Sequence, residues 1–364
     1  MADRLRVALL FGGRSSEHSI SCATAGGVLS AIDRDRYEVV PIGITRDGAF
    51  VLEADDPARF RLDPGALPEV RDNGSRVRLP ESATTRELRV TDADGTQRSL
   101  GDIDIVFPIL HGPFGEDGTI QGMLELVGLP YVGNGVLASA LGMDKHFTKT
   151  VLEAAGIQVA PWVTITAADW QRDQALWSGR LRALGLPAFV KPARAGSSVG
   201  VSRIEEWSEL PAALEVAFAE DDKVLVEQAI VGREIECGVL GGRSGELPRV
   251  SLAGEVVVTG RAFYDFAAKY LDVPGVELVC PTPLSDGELW ELRRVAARAF
   301  EAIGGAGLAR VDFFLTPSGF IVNEINTMPG FTPISMFPKC WIASGMSYPQ
   351  LIDELILLGL EAVR

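Results

Sequence analysis

Two carboxylates, an amide and a guanidinium occupy alternate positions of one short segment. Asp312 follows Arg310 by two residues, and Asn326 follows Glu324 by two residues. Because alternate residues of a strand share a face, a hairpin with a three-residue turn would place Asp312 opposite Glu324. It would also place Arg310 opposite Asn326. Opposed carboxylates destabilise a hairpin unless a partner neutralises them. Mg²⁺ takes such oxygen ligands together with substrate phosphates, so the pattern predicts a magnesium site. The alternative is a solvated hairpin with incidental charges.

Two lysines and a glycine-rich loop could supply the complementary charge. Lys191 ends an apolar strand, and the sequence Gly-Ser-Ser-Val-Gly follows over residues 196–200. Such a loop exposes N–H groups and hydroxyls that can bind phosphate, although it also makes ordinary turns. Lys145, at a predicted helix start, could reach the same phosphates or be a surface lysine. Neither the Walker pattern nor G-x-G-x-x-G occurs, since Glu17 replaces the third glycine. This disfavours a nicotinamide-dependent oxidoreductase.

The elements that must position these groups follow from the hydrophobic pattern. In the N-terminal part, short apolar runs alternate with helical segments, and Gly12 and Gly13 follow the first run. This pattern predicts an open parallel α/β sheet with the glycines at the carboxyl end of a strand, where such sheets bind ligands. The predicted strands are residues 4–11, 37–44 and 104–110, and the predicted helices are residues 19–32 and 119–127.

Residues 53–100 interrupt this pattern. They are rich in charged residues and turn formers. We therefore expect a solvated excursion from the sheet, with a β-ribbon as one possible form.

The remainder of the chain predicts further strands and helices. Capping boxes begin two of the helices, at Ser285 and Ser347. The predicted helices are residues 144–155, 170–184, 206–219, 285–303 and 347–363, and the predicted strands are residues 188–191, 199–204, 224–228, 234–240, 308–315 and 320–325.

Seven motifs, in order along almost the whole chain, resemble those of the D-alanine:D-alanine ligases, which belong to the ATP-grasp superfamily. The polar segment 53–100 is similar to an insertion in longer members. The motifs are Gly12–Ser21, His111–Gly118, Met143–Lys145, Lys191–Pro192 with Gly196–Gly200, Phe263–Asp265 with Lys269–Tyr270, Arg310–Asp312, and Asn323–Gly330.

The resemblance implies an α/β protein with the ATP-grasp fold. Its parts would be an N-terminal open parallel α/β sheet domain, a small central α+β domain and a C-terminal α+β domain that carries the metal site. The implied boundaries are 1–139, with the insertion at about 53–100, then 140–222 and 223–364, with a lid at 260–275.

The resemblance also implies an activity: ATP-driven joining of two D-alanines through D-alanyl phosphate, for peptidoglycan precursors. The implied catalytic residues are Glu17, Ser197, Tyr270, Arg310 and Gly330. The implied ATP-binding residues are Lys145, Lys191, Gly196, Ser198, Glu227, Gln228, Ala229, Ile230, Glu234 and Lys269. The implied substrate-binding residues are Glu17, His111, Arg310, Gly330 and Ser335, and the metal ligands are Asp312, Glu324 and Asn326.

Simpler roles exist for several of these residues taken alone. Glu17 could be a helix N-terminal acid, His111 a turn-capping histidine and Ser335 an ordinary loop serine. Glu227 and Glu234 could lie on an exposed strand face, and the lid aromatics could belong to a core strand. In the family, the counterpart of Tyr270 closes the lid and favours an amine over a D-lactate acceptor.

The overall charge limits the partners. With 34 Lys and Arg against 49 Asp and Glu, the net charge is −15, which opposes nonspecific binding to nucleic acid or anionic membranes. No apolar run is long enough for a signal peptide or membrane span, so we expect a cytoplasmic protein. Expected ligands are ATP, D-alanine and two Mg²⁺ ions, with Mn²⁺ as a substitute, and the resemblance implies a homodimer.

Two other functions remain open. One is a related ATP-grasp ligase that uses another D-amino or D-hydroxy acid as acceptor. The other is a noncatalytic nucleotide sensor, which the complete set of acidic ligands disfavours.

Overall fold

The computed structural model describes residues 4–63, 65–243, 245–258 and 275–362. The strands in these ranges are β1 Leu5–Gly12, β2 Tyr37–Ile44, β3 Phe50–Leu52, β4 Arg76–Arg78, β5 Glu87–Thr91, β6 Gln97–Asp102, β7 Ile105–Ile109, β8 Trp162–Thr166, β9 Ala188–Pro192, β10 Ser202–Ile204, β11 Lys223–Gln228, β12 Arg233–Leu240, β13 Arg249–Val258, β14 Val276–Val279, β15 Leu308–Thr316 and β16 Gly319–Asn326. The α-helices are α1 His18–Ala31, α2 Thr119–Leu126, α3 Val136–Met143, α4 Lys145–Ala154, α5 Ala167–Arg172, α6 Gln174–Arg182, α7 Leu210–Phe218, α8 Asp286–Ala302, α9 Met336–Ala343 and α10 Tyr348–Glu361. None of them is both long and apolar enough to cross a membrane.

The N-terminal sheet has the predicted open parallel arrangement. β1 pairs in parallel with β2 and β7, and the short β3 lies antiparallel beside β2. Helices α1 and α10 cover one face, where Val28 and Leu355 share an apolar cluster with Leu9. β1 ends at Gly12, whose φ is +90° and where a Cβ would lie 2.5 Å from the carbonyl oxygen of Ile44. The turn therefore requires glycine.

The polar insertion forms an antiparallel sheet in the order β4-β5-β6. The β structure given as one possible form is present, but the segment is not solvated throughout, contrary to the expected solvated excursion. Val77, Leu88 and Val90 pack in one cluster with Ala8 and Leu10, on the face of the parallel sheet opposite α1. Together with Ile120 and Leu124 of α2, the insertion thus helps to bury this face of the N-terminal sheet.

A second sheet, in the order β10-β9-β11-β8, is formed by the middle of the chain and is called the central sheet below. The predicted helix over 170–184 is wrong in one respect, because two helices meet at Asp173. This residue has φ −153° and ψ 81°, and its carboxylate accepts the N–H of Leu176, so it caps α6 instead of continuing α5. The predicted helix over 206–219 likewise begins with a 3₁₀ turn, and α7 starts at Leu210.

The C-terminal sheet is antiparallel, in the order β14-β13-β12-β15-β16. Helix α8 covers one face, where Phe300 packs with Ile235 and Val311. Strand alternation turns Glu236 and Asp312 to the other face. The capping boxes predicted at Ser285 and Ser347 both form.

Asn134 connects the N-terminal region to this sheet. Its Nδ2 donates to the carbonyl oxygens of Leu308, at 2.6 Å, and Thr327, at 2.9 Å. Its Oδ1 accepts the N–H of Ala306 at 2.9 Å. These bonds hold the start of β15 and the end of β16 against the N-terminal part of the protein.

Candidate active site

The turn between β15 and β16 differs from the sequence prediction. Thr316 pairs with Gly319, so the turn has two residues instead of three. A regular hairpin with this turn would place Asp312 opposite Asn323 and turn Glu324 to the opposite face. A β-bulge after Asp312 absorbs Asn323 and restores the pairing of Asp312 with Glu324.

The same shift places Arg310 opposite Asn326. The predicted pairings are therefore confirmed, but a two-residue turn and a bulge produce them instead of a three-residue turn. The four side chains meet on the face opposite α8. The Asn326 Nδ2 donates to Asp312 Oδ2 at 3.0 Å. The bulge is therefore the local feature that brings these oxygen and nitrogen atoms together.

Arg310 carries the central positive charge of this face. Its Nε and one terminal nitrogen each lie 2.7 Å from an oxygen of Asp312, a bidentate pair, and its Nε lies 3.0 Å from Glu236 Oε2. Burial alone would lower the pKa of Arg310, but Asp312 and Glu236 together raise it well above its ordinary value. The sequence analysis missed Glu236, although it alternates with Glu234 on a predicted strand and so shares its face.

A cavity of about 230 Å³ lies between the central and C-terminal sheets and reaches the N-terminal domain. It collects sixteen of the predicted site residues, namely Glu17, His111, Lys145, Lys191, Gly196, Ser197, Ser198, Glu227, Gln228, Ile230, Glu234, Arg310, Asp312, Glu324, Asn326 and Gly330. Ala229 and Ser335 do not line it, and the Ser335 hydroxyl instead lies 2.7 Å from that of Thr332. Lys269 and Tyr270 lie outside the described residues.

The glycine-rich loop is held beside the start of α4. The backbone N–H of Lys145 donates to Ala193, and its Nζ donates to the carbonyl oxygen of Ala195 at 2.7 Å. Ser197 and Ser198 have φ values of +51° and +59°. Each left-handed non-glycine residue costs about 1–2 kcal/mol, so the loop stores strain at the cavity, as functional sites often do.

Glu17 joins this loop to the N-terminal domain. It precedes the first residue of α1, but its carboxylate does not cap the helix. Instead it accepts a hydrogen bond from the Ser197 hydroxyl. A Cβ on Gly196 would lie 3.0 Å from Glu17 Oε2, so the loop packs directly on the carboxylate. The helix-acid alternative does not account for this contact.

Two family models match the chain: the D-ala D-ala ligase N-terminus over residues 6–134, and the D-ala D-ala ligase C-terminus over residues 151–357. A D-alanine–D-alanine ligase of Paenarthrobacter aurescens is 53% identical over 363 residues, with 99% of this chain and 96% of the relative covered. The ligase of Kineococcus radiotolerans is 55% identical over 364 residues, with 98% and 96% covered. The chain belongs to the D-alanine–D-alanine ligase family.

Solved structures agree with this assignment. The VanG D-Ala:D-Ser ligase from Enterococcus faecalis superposes with a TM-score of 0.83 at 33% identity, covering 98% of this chain and 100% of that one. The D-alanine–D-alanine ligase from Coxiella burnetii has a TM-score of 0.80 at 35% identity, covering 99% and 95%. The predicted ATP-grasp fold is confirmed.

In this ligase, His111 is buried against the same region. Its Nδ1 lies 3.1 Å from the carbonyl oxygen of Met328, which requires an N–H at that nitrogen. The Nε2 atom is buried and has no hydrogen-bond partner among the residues that the structure describes. Burial lowers the pKa of His111 against the opposing influence of Glu17. The neutral ring therefore offers Nε2 as an acceptor to a ligand N–H.

In the ligase, Glu227 is buried, so it does not lie on an exposed strand face. Its carboxylate is 3% exposed and lies between two lysines. Lys149 Nζ is 3.2 Å from Oε1, and Lys191 Nζ is 2.6 Å from Oε2. Burial would raise the pKa of Glu227, but the two lysines outweigh it and lower the value. Sequence analysis missed Lys149, for which the only signal was its place one turn after Lys145 on the same helix.

Glu116 is another acidic residue of the cavity. It belongs to the motif His111–Gly118, but the sequence predicted no role for it. It lines the cavity, and its Oε1 accepts the N–H of Gly112 at 2.7 Å. Burial, followed by the charge of Glu17, raises the pKa of Glu116 to about 8. The environment of Glu116 therefore favours its protonated form.

The donor set on the hairpin suits a hard divalent cation. No group of three His, Cys, Asp or Glu side chains in the described ranges is arranged to hold a metal. Asp312 and Glu324 supply two carboxylates and Asn326 an amide, so an ion here needs further oxygens from bound phosphates. That requirement is typical of Mg²⁺.

Proposed function

We propose that this chain joins two D-alanine molecules to D-alanyl-D-alanine at the expense of ATP, for peptidoglycan precursors. The main support is that one cavity collects the acidic hairpin, two lysines with a glycine-rich loop, and the Glu17–His111 pair. These are the parts needed for a nucleotide, its metal and an amino acid. Membership in the ligase family agrees with the use of ATP and a divalent metal.

The nucleotide would lie between the central and C-terminal sheets. We assign its phosphates to Lys145, Lys191 and the loop at Gly196 and Ser198. Backbone groups from Glu227 to Ile230, including Gln228 and Ala229, would bind adenine, and Glu234 would bind the ribose hydroxyls. Lys269, outside the described residues, is assigned to the γ-phosphate by its motif alone.

Asp312, Glu324 and Asn326 would hold magnesium, with two ions proposed and Mn²⁺ as a substitute. Bound there, the metal supplies positive charge that offsets the phosphate oxygens during transfer. The guanidinium of Arg310 already donates hydrogen bonds to Asp312, and this pairing holds the Asp312 carboxylate in a fixed orientation.

The first D-alanine would place its ammonium group at Glu17, a charge-assisted contact. The unpartnered Nε2 of His111 can accept another N–H of the same group. One carboxylate oxygen of this substrate then attacks the γ-phosphorus, the bond to the bridging oxygen breaks and ADP leaves. D-alanyl phosphate is the product of this step.

The amine of the second D-alanine, after losing a proton, attacks the acyl carbon. Negative charge develops on the former carbonyl oxygen, where Arg310 and the N–H of Gly330 would stabilise it. The C–O bond to phosphate then breaks. Ser335 would bind the second carboxylate, although it directly precedes α9 and does not line the cavity.

The acyl phosphate hydrolyses if water reaches it, so the site must close. We assign closure to residues 260–275, with Tyr270 joining Glu17 and Ser197. The support is the existing Ser197–Glu17 hydrogen bond. The wider organisation proposed is three domains near 1–139, 140–222 and 223–364, although β11 extends the central sheet past residue 222. We also propose a homodimer in the cytoplasm, where ATP is available.

The test is phosphate release from ATP with D-alanine, L-alanine or buffer, followed by mass identification of the product. Release with D-alanine alone, and a D-alanyl-D-alanine product, supports the proposal. Lack of D-alanine dependence contradicts it. Because one structural neighbour is a D-Ala:D-Ser ligase, mixtures of D-alanine with D-serine or D-lactate should be included, and preferential formation of the mixed product would favour that alternative acceptor.

A further inference from the structure

Lys149 is a buried cation that does not line the nucleotide cavity. Its side chain is 2% exposed, and its Nζ reaches Glu227 Oε1 and lies 5.7 Å from the ring centroid of Trp162. Burying an ammonium group is costly unless it is paired. Glu227 is its partner, and Glu227 also holds Lys191, which does line the cavity. Lys149 is thus connected to the cavity through one carboxylate.

The geometry of the strands explains this arrangement. Leu225 pairs with Lys191 across β11 and β9, so Glu227, two residues on, lies diagonally from Lys191 on the same face. Lys149 approaches from α4, one turn after Lys145. Lys145 and Lys191 therefore line the region where phosphates are proposed to bind, and Glu227 lies between Lys191 and the buried Lys149.

We propose that Lys149 is a positioning residue that lets Lys191 exchange Glu227 for the phosphates of the nucleotide, an inference that rests on the proposed function. Lys191 pairs with Glu227 when no nucleotide is bound. When it turns to a phosphate, the buried carboxylate keeps Lys149 as its partner. Without Lys149, the same movement would leave an unpaired buried charge, which is strongly unfavourable.

The test is a cycle of Lys149→Met, Glu227→Gln and the double variant. Binding of the ATP analogue AMP-PNP with Mg²⁺ is measured by calorimetry, beside the KM values for ATP and D-alanine. Lys149→Met should weaken nucleotide binding on the order of tenfold, with a much smaller change in the KM for D-alanine. In the Glu227→Gln background, the same substitution should have little effect, because no carboxylate charge remains to be left unpaired.

Leu152→Ala is the matched control, since Leu152 is a buried residue of α4 that belongs to the apolar cluster of the C-terminal sheet and α8. It should lower the melting temperature without a selective effect on nucleotide binding. Equal effects of Lys149→Met in both Glu227 backgrounds, or equal changes in both KM values, would overturn the proposal. If Lys149→Met does not fold, the double variant, which has no unpaired charge, must fold and bind like Glu227→Gln; failure there also overturns it.

The outcomes separate this inference from the proposed function. Wild-type protein without D-alanine-dependent phosphate release would contradict the ligase activity, whereas calorimetry would still measure the Lys149 effect. Wild-type activity together with unchanged nucleotide binding in Lys149→Met would contradict the positioning role alone.

Discussion

Two charged regions of the site form in opposite ways. One is the acidic hairpin of β15 and β16, and the other is the lysine group, which consists of Lys149, Lys191 and the Glu227 carboxylate between them. On the hairpin, Arg310, Asp312 and Asn326 lie on adjacent paired strands, and strand register sets their contacts. The lysine group joins Lys149 to Glu227 across 78 residues of sequence. Neighbouring strands give the hairpin little freedom, whereas the side chain of Lys191 can change partners without disturbing a sheet. We infer that the hairpin is a fixed platform and that the lysine group is the adaptable part of the site.

The largest expected effect comes from breaking the fixed platform. Asp312→Ala removes a proposed metal ligand and half of the bidentate pair with Arg310. The turnover rate should fall by a factor on the order of 1,000, because the charge stabilisation of phosphoryl transfer is lost. Circular dichroism should be unchanged, since Arg310 keeps Glu236 as a partner.

Ser318→Ala, at the exposed turn of the same hairpin, is the control and should leave turnover unchanged. Near-normal turnover in folded Asp312→Ala protein would show that the hairpin does not hold the metal.

A smaller effect is expected at the contact between the loop and the N-terminal domain. Glu17→Gln keeps a hydrogen-bond acceptor for Ser197 but removes the charge proposed to bind the ammonium group of D-alanine. The KM for the first D-alanine should rise about 10- to 100-fold, the usual range for one charged hydrogen bond. Steady-state kinetics with D-alanine varied at saturating ATP measures this.

Glu38→Gln breaks a partly exposed ion pair with Arg6 and should leave this KM unchanged. A normal KM in Glu17→Gln protein would place the ammonium group elsewhere.

The contrast between the two regions also explains what sequence could predict. The pairing of Asp312 with Glu324 follows from alternation along two neighbouring strands, so it was predicted even though the turn length was wrong. The error in the turn was compensated by the bulge at Asn323, which no local pattern announces. Strand and helix periods likewise predicted the parallel N-terminal sheet.

Long-range pairing was not predictable in this way. Lys149 contacts Glu227 only because α4 packs beside the central sheet, and nothing in the spacing of either residue indicates this. The burial of Leu88 from the insertion in one apolar cluster with Leu10 is another such long-range arrangement. Glu116 was visible in a motif, but its raised pKa depends on burial and on the position of Glu17. The motifs predicted which residues line the cavity, and the structure shows which side chains these residues contact.

Two glycine substitutions test whether the position of the glycine-rich loop affects ATP binding. Gly200 ends this loop, and Gly185 lies outside it. Gly200 has φ +72°, and a Cβ there would lie 2.8 Å from Pro192 Cγ and 2.9 Å from Glu220 Cγ. Gly185 has φ +78° with no atom within 4 Å of a Cβ. Both alanine variants carry the same backbone strain of about 1–2 kcal/mol, but only Gly200→Ala must displace its neighbours.

Gly200→Ala should therefore raise the KM for ATP about threefold to tenfold, while Gly185→Ala lowers stability without changing that KM. Kinetics and thermal unfolding of the two variants side by side give the comparison. Equal KM values would show that the loop position does not determine ATP binding.

The smallest effect concerns Glu116, whose pKa depends on burial and on neighbouring carboxylates. Burial and the charge of Glu17 raise its pKa from 4.5 to about 8 in the folded protein, with Glu324 of the hairpin adding to the rise. The folded state therefore binds more protons than the unfolded state between these two values, so this group's contribution to stability is lost as the pH rises through about 8. In Glu116→Gln protein that loss cannot occur. Between about pH 6 and about pH 9, the wild-type melting temperature should fall about 3–5 °C further than that of Glu116→Gln. Parallel pH profiles of the two proteins, measured by differential scanning calorimetry, would mean that Glu116 is already ionised at neutral pH.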